Sequence, residues 1–174
     1  MLRVVVSLML LLAVGLAGPA RANDTAEKEI RAYYSELEHV INSEEYQAKD
    51  PTVLWRFQDV KRMRLFDLMG EDEYIGEAYQ KHIIGTATKI RGRYEFAPLD
   101  IHADGKVAFV VYIQNFYGKK PDGTGYIIRC RTTDGLEKTA KGWRMVHEHV
   151  SIALDDQTFL ALRGRKNWDD NADK

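Results

Sequence analysis

An internal disulfide is not available to this chain, because it contains a single cysteine, Cys130. Its fold must therefore be stabilised by packing. With 174 residues, of which 45% are hydrophobic, the chain is long enough for one domain with a substantial core. Cys130 itself is predicted to be a small buried apolar residue rather than a nucleophile.

An excess of positive charge is also missing. The sequence has 25 Lys and Arg residues against 26 Asp and Glu residues, which is not the balance of a nucleic-acid-binding protein. Three catalytic sequence templates are absent as well: the G-x-S-x-G elbow, the glycine loop that binds phosphate, and the H-E-x-x-H metal pair. We therefore expect no nucleic-acid partner and no cofactor.

No apolar run in the sequence reaches the roughly 20 residues that span a bilayer. The run at residues 4–17 follows Arg3 and precedes the small residues Ala20 and Ala22, which is the order of a cleavable export signal. We predict that residues 1–22 are removed, which leaves a domain at residues 23–155 and a charged tail at 156–174. The mature protein is then expected to be periplasmic or secreted, without a stable membrane anchor.

Helical periodicity dominates the first half of the predicted domain. Asp24 and Glu27 have the spacing of a capping box, and apolar residues recur every three or four positions over residues 26–41, which predicts a long amphipathic helix. Asp50-Pro51 marks the start of a second, shorter helix. The spacing over residues 75–84 predicts a third helix, which ends before a glycine.

From residue 88 the hydrophobic period changes to two, which predicts strands. Residues 88–96 alternate, and Ala97-Pro98 then indicates a bulge or bend. Residues 107–116 are apolar at both odd and even positions, which is the pattern of a central strand covered on both faces. A turn joins them to a strand at 126–133, and the last strand covers 143–152 after a polar connection. Helices followed by antiparallel strands predict an α+β fold.

The last predicted strand contains a cluster of polar and aromatic side chains. Strict alternation places Trp143, His147 and His149 on one face of the strand, and Glu148 then lies on the opposite face. Two histidines at this spacing can bind one metal ion, but a third ligand with recognisable spacing is missing, so we predict no metal site. Both histidines are expected instead to be hydrogen-bonding groups at the edge of a cavity.

Two charged residues earlier in the chain are candidates for chemistry. If the strand face of Arg129 is the concave one, its guanidinium can bind a carboxylate or an enolate oxygen. The alternative is a solvated strand face. Asp67 has apolar neighbours on both sides, and burial there would raise its pKa and suit it to proton abstraction. The alternative is an exposed aspartate in a turn.

The order of these elements resembles the SnoaL-like branch of the nuclear-transport-factor-2-like superfamily. The resemblance rests on GWRMVHEHVS at the last strand, on the strand of Arg129, and on Phe66-Asp67 followed by Gly76 and the third helix. It covers roughly residues 26–151. It implies a cone-shaped, curved antiparallel sheet wrapped around the N-terminal helix, with two shorter helices, a pocket at the wide end, and dimerisation through the outer sheet face.

The resemblance leaves the function open, because the superfamily includes isomerases, cyclases and dehydratases as well as non-catalytic association domains. In ketosteroid isomerases a helix tyrosine binds the substrate oxygen and an aspartate carries the proton, and these roles match Tyr33 and Asp67. The second oxygen-binding acid falls on or beside Arg129, which argues against steroid isomerisation. A kinase association domain has a strand arginine similar to Arg129, which implies a pocket that binds acids.

Three hypotheses follow. In the first, the domain is a homodimer whose pocket binds a small apolar ligand that is acidic or bears a carbonyl group. The aromatic side chains expected to line this pocket are Tyr33, Trp55, Tyr79 and Trp143. Its polar groups are expected to be Arg129, His147 and His149.

In the second hypothesis the domain is a cofactor-independent isomerase, cyclase or lyase with Asp67 or His149 as the base. In the third it is a non-catalytic assembly module, in which aromatic side chains fill the cavity and the sheet serves only to bind partners. The volume of the cavity discriminates between this reading and the other two.

Overall fold

The computed structural model describes residues 19–48, 50–68, 73–87, 91–155, 157–158 and 161. The apolar run of the predicted signal, and residues 162–174 of the predicted tail, lie outside the described residues. The helices are α1 (Pro19–Ile41), α2 (Glu44–Ala48), a 3-10 helix (Pro51–Arg56) and α3 (Glu77–Ala87). Within the described ranges, no helix combines the length and the apolar character needed to cross a membrane.

Seven strands form one curved, open sheet. They are β1 (Arg64–Phe66), β2 (Tyr74–Ile75), β3 (Gly92–Phe96), β4 (Asp100–Asp104), β5 (Val107–Lys119), β6 (Gly125–Thr139) and β7 (Gly142–Ser151). Their order is β2-β1-β7-β6-β5-β3, and β4 also pairs with β5. Strand β1 runs parallel to β7, and the other pairs are antiparallel. The α+β prediction is confirmed, and the arrangement is the cone that the resemblance implied.

Helix α1 packs against the sheet through one apolar stripe. Its members recur at intervals of three and four and are all buried, namely Ala26, Ile30, Tyr34, Leu37 and Val40. The helix begins at Pro19 in the full chain, five residues before Asp24, so the cap predicted at Asp24 applies only to a chain cleaved after Ala22. Proline is tolerated in a first helical turn, and Ala20 and Ala22 favour helix.

The two shorter helices are close to their predicted positions. Asp50 caps the 3-10 helix, because its side chain accepts a hydrogen bond from the Thr52 N–H at 2.8 Å and Pro51 occupies the first helical position. Helix α3 continues through Gly85 to Ala87. The predicted end before Gly85 is therefore wrong, since glycine inside a helix costs only about 1 kcal/mol.

The strands β5 and β6 differ from the prediction in ways that matter for the site. Strand β6 extends to Thr139 through the region predicted as a polar connection, because Asp134 points into the core there. On β5, Val107, Phe109 and Val111 are exposed, so the predicted burial on both faces is wrong. Strand β4, which the sequence did not predict, pairs with this half of β5.

A β-bulge in β7 decides which of its side chains face inward. Leu136 of β6 pairs with Met145, but the preceding Gly135 pairs with His147, so Val146 is an extra residue on β7. Met145 also bonds through its backbone to the loop before β1, where its N–H donates to the carbonyl of Phe57 at 2.9 Å. This extra pairing holds the bulge in place.

The bulge reverses the alternation along β7. Before it, Trp143 and Met145 are buried. After it, Glu148 and Val150 line the interior, and His147 and His149 lie on the outer face of the sheet. The prediction that Trp143 shares a face with both histidines is therefore wrong, because one inserted residue moves all later side chains to the opposite face.

Candidate functional site

A cavity of about 390 Å³ lies between the inner face of the sheet and the helices. Its wall is largely aromatic, with side chains from both the helical layer and the sheet. The rings that line it are Tyr46, Tyr79, Tyr94, Phe96, Tyr112, Phe116 and Tyr126. The volume lies in the range of small-molecule sites. The domain's own side chains therefore do not fill the cone, which disfavours the third hypothesis as a complete account.

Asp67 follows β1 and lines this cavity. One carboxylate oxygen, Oδ2, lies 2.6 Å from Nε2 of His82, and the other accepts a hydrogen bond from the Leu68 N–H at 2.6 Å. The His82 ring comes from α3 and stacks on Tyr74 of β2, with ring centroids 3.9 Å apart. Contacts from three elements therefore fix the orientation of one carboxylate at the cavity wall.

Glu148 contributes a second carboxyl group to the cavity. Its side chain points inward because of the bulge, and no hydrogen bond to it is found among the described residues. Burial raises the pKa of Glu148 well above its usual value, and the nearby carboxyl groups of Asp134 and Asp67 raise it further. Burial and these neighbouring acids therefore favour the protonated form of Glu148 over its carboxylate.

Asp134 lies directly opposite Glu148 in the register of β6 and β7 and is fully buried. Its Oδ2 accepts hydrogen bonds from the hydroxyls of Tyr34, at 2.5 Å, and Tyr112, at 3.0 Å. Burial raises the pKa of Asp134 to about 7, while the two tyrosine hydroxyls act to lower it. Tyr112 lines the cavity, so its hydroxyl links Asp134 to the cavity wall.

Two further polar groups of the cavity wall lack partners. The hydroxyl of Tyr79 and Oε1 of Gln58 are buried without a hydrogen bond in the described part of the chain. A buried polar atom without a partner costs about 1–3 kcal/mol, so such atoms favour binding of a group that forms hydrogen bonds with them. The lining residues that the structure describes include no lysine or arginine.

Residues 68–155 match the family model of the SnoaL-like domain. The chain belongs to this family. The matched range contains His82, Asp134 and Glu148, and it begins directly after Asp67. A comparison with curated proteins gave no match.

Solved structures show the same fold. An NTF2-like protein of unknown function from Pseudomonas putida KT2440 has a TM-score of 0.62 and 22% identity, over 78% of this chain and 92% of that chain. A nuclear transport factor 2-like superfamily protein from Salmonella enterica has a TM-score of 0.61 and 21% identity, over 76% and 94%. The association domain of C. elegans CaMKII has a TM-score of 0.57 and 16% identity, over 75% and 98%.

The aromatic residues predicted to line the pocket of this SnoaL-like domain divide into two groups. Tyr79 lines the cavity, but Tyr33, Trp55 and Trp143 do not. The Tyr33 hydroxyl donates to the carbonyl of Phe57 at 2.8 Å, since the helix turns Tyr34 rather than Tyr33 toward the sheet. Trp55 packs against the core. Trp143 is buried before the bulge, where its Nε1 donates to Glu29 at 3.0 Å.

The predicted polar groups Arg129, His147 and His149 lie outside the cavity of the SnoaL-like domain. Alternation on β6 turns Cys130 inward and leaves Arg129 exposed. The bulge turns both histidines outward, where each packs at a steep angle against the ring of Phe66 with centroids 5.7 Å apart. The expected position of Arg129, His147 and His149 is therefore corrected, because none of the three lines the cavity.

The polar residues of the site that the prediction missed include His82, Gln58, Glu148 and Asp134. His82 lies within the predicted third helix, but nothing in the sequence joins it to Asp67. Glu148 could be found only by recognising the bulge, because strict alternation puts it opposite Trp143. Asp134 falls where the sequence predicts a polar connection, because an aspartate alone does not show whether it is buried or lies in a loop.

Proposed function

We propose that this SnoaL-like domain binds a small, neutral, mostly apolar molecule with a carbonyl group and moves a proton on it without a cofactor, with Asp67 as the base. The observation that carries the proposal is the Asp67 carboxylate, held by His82 at the wall of an aromatic-lined cavity. A base that abstracts a proton next to a carbonyl group must reach the ligand from a fixed position.

The charges of the cavity support a neutral ligand. Two carboxyl groups line it, and the described lining holds no cationic side chain, so an anionic ligand would have no counter-ion and would be repelled. This observation disfavours the acidic ligand that the expected position of Arg129 had suggested. The carbonyl-bearing alternative remains.

The polar atoms of the wall support a ligand with a hydrogen-bonding group. Tyr79 and Gln58 have buried atoms without partners, and a ligand that hydrogen-bonds to them recovers the cost of their desolvation. Most of the remaining wall is aromatic or aliphatic, which suits a flat ring system.

Binding is tested with 1-indanone, a flat aromatic ketone, by calorimetric titration. Ile128 lines the cavity, and its neighbour Ile127 is 63% exposed on the outer face. We expect Ile128→Trp to fill the cavity and abolish binding, whereas Ile127→Trp binds like the unchanged protein. Equal binding by both variants would place the ligand elsewhere, and no binding of 1-indanone or related ketones by the unchanged protein would contradict the proposal.

The outer face of the sheet supports a second proposal, that the domain forms a homodimer. Val107, Phe109 and Val111 of β5 are 54%, 49% and 38% exposed and lie on one strand face. Such adjoining apolar side chains on a surface are typical of a protein interface. Solved structures with this fold include kinase association and hub domains, which is in line with assembly through the same fold.

Export of the domain also remains a proposal. It rests on residues 1–22, whose basic start, apolar run and small residues have the order of a signal. Cleavage after Ala22 would remove the beginning of α1 and leave its buried stripe from Ala26 onward intact. The predicted cleavage is therefore compatible with the packed core.

A further inference from the structure

We infer that the ligand of the cavity is elongated, with its carbonyl group toward Gln58 and an alkyl chain that reaches an opening beside Ile152. This inference rests on the proposed function and narrows its ligands to ketones that carry such a chain. It assigns the space for the chain to a pair of glycines, Gly92 and Gly118, which accommodate two aromatic rings of the wall.

The first argument is the order of the wall residues along β7. Gln58 forms a bridge to Met145 in the first half of this strand, and Ile152 directly follows the end of the strand. Ile152 lines the cavity and is also 47% exposed, so the cavity opens to solvent there. Strand β1 runs parallel to β7 and ends opposite His149, so the next residue, Asp67, lies between the polar end and the opening.

The second argument is the length of the part of the cavity that leads to this opening. We call this part the outer arm, and the residues that define it are Phe116, Tyr126, Ile128 and Ile152. Gln114, which pairs with Cys130, marks its inner limit, and Phe116 pairs with Ile128 further out. From Cys130 to Tyr126 the wall follows about 13 Å of strand β6. A chain of several methylene groups fits this length.

The third argument is a pair of glycines that keeps the outer arm open. Gly92 of β3 and Gly118 of β5 are direct cross-strand partners. A Cβ atom at Gly92 would lie 2.6 Å from Cε2 of Phe116, and one at Gly118 would lie 2.8 Å from Cε1 of Tyr126. Carbon atoms normally approach to about 3.5–4.0 Å, so both rings lie against the backbone in space that only glycine leaves free. The rings therefore leave the arm open.

The chemistry of the outer arm favours an alkyl chain over a charged one. Apart from the hydroxyl of Tyr126, the side chains that define the arm are hydrocarbon. A charged group would lose its hydration there without an opposite charge to compensate. Each methylene group that leaves water for such a wall gains up to about fourfold in affinity.

The chain is tested by calorimetric titration with acetophenone, butyrophenone and hexanophenone, which share a phenyl ketone and differ in the length of the alkyl chain. We expect affinity to rise along the series, by about tenfold or more from acetophenone to hexanophenone. Equal affinity for all three ketones would overturn the inference and leave the proposed function intact. If neither these ketones nor 1-indanone bind, the proposed function fails, and this inference fails with it.

Gly118→Ala tests whether the outer arm holds the chain. The added methyl group displaces the ring of Tyr126 into the arm, so we expect unchanged acetophenone binding and loss of the advantage of hexanophenone. Gly125→Ala is the matched control, because a Cβ atom there would lie 4.0 Å from the carbonyl oxygen of Gly118, and it should keep the full advantage. The double variant Gly118→Ala with Tyr126→Ala should recover the advantage, since it removes the displaced ring.

Ile152→Trp places an indole at the opening and gives the same comparison if Gly118→Ala does not fold. It should also bind acetophenone normally and lose the advantage of hexanophenone. An advantage that persists in both Gly118→Ala and Ile152→Trp would place the chain outside the outer arm and overturn the inference. An equal loss in Gly125→Ala would do the same, because it would show that the space over Gly118 is not what matters.

Discussion

Asp134 and Glu148 face each other across β6 and β7, two carboxyl groups side by side in the interior of the domain. Burial raises the pKa of both groups. Such an arrangement costs stability unless protons or hydrogen bonds compensate for it. Strongly perturbed acids that border a cavity are typical of functional sites, and this pair adjoins the wall that also holds Asp67.

Asp134→Asn should change how stability depends on pH. The pKa of Asp134 is about 7 in the fold, against about 3.9 in an unfolded chain. Between these two pKa values the folded state keeps a proton on Asp134 that the unfolded chain has lost. The stabilisation from this proton is complete below about pH 4 and is lost as the pH rises through about 7.

The variant cannot ionise at this position, so its free energy of unfolding should fall less between pH 5 and pH 8, by on the order of 1–3 kcal/mol. Urea unfolding at both pH values measures the difference. Glu148 contributes in the same direction, so some dependence on pH should remain in Asp134→Asn. Identical pH profiles for the variant and the unchanged protein would show that Asp134 does not titrate in this window.

His82→Gln should reduce turnover without removing binding. His82 holds Oδ2 of Asp67 at 2.6 Å and is itself fixed by Tyr74, so it positions the base. Its loss is expected to lower the rate of proton transfer about 10²-fold while the affinity for 1-indanone stays the same. His149→Gln, on the outer face, is the matched control, and an equal effect of both variants would remove His82 from the mechanism.

Phe109→Asp should separate the proposed homodimer. Phe109 is 49% exposed between Val107 and Val111, and a charge there cannot be buried in an apolar interface without a large cost. Light scattering after size exclusion should show a dimer for the unchanged protein and a monomer for Phe109→Asp. Ile127→Asp, placed further along the sheet, should remain a dimer. A monomeric unchanged protein would contradict the proposal.

Cleavage of the signal predicts the mass of the mature protein. The exported product should begin at Asn23, because Ala20 and Ala22 have the small side chains that signal cleavage requires. Intact mass measurement on protein recovered from outside the cytoplasm checks this N-terminus. Ala22→Arg should leave the signal attached, and a mature form that retains residues 1–22 would contradict the prediction.

The sequence predicts the fold better than it predicts the site. The apolar stripe of α1, the Asp50 cap and the run of antiparallel strands follow from local periodicity, and the structure has all three. The site depends on the bulge at Val146, and the alternation of apolar and polar residues along a strand does not predict a bulge. The proximity of Asp67 and His82 depends on how β1 and α3 pack, and this is a tertiary property.

The outcome for Arg129 and Asp67 shows the same limit. Alternation on β6 correctly separates Arg129 from Cys130, but the sequence cannot say which face is concave. The apolar neighbours of Asp67 in the sequence predict a buried carboxylate there, and burial of positions such as Leu65 brings Asp67 to the cavity wall. A local apolar context thus gave more information about the site than charge or histidine spacing.

Solvent deuterium incorporation into 1-indanone tests the central claim most directly. In heavy water, the unchanged protein should exchange the protons on the carbon next to the carbonyl group, which mass spectrometry of the ketone detects. Asp67→Asn should lower the exchange rate about 10²- to 10⁴-fold while still binding the ketone, and the exposed control Asp100→Asn should exchange normally. Exchange that continues at the same rate in Asp67→Asn, or that never exceeds the rate in buffer alone, would contradict the assignment of Asp67 as the base of this cavity.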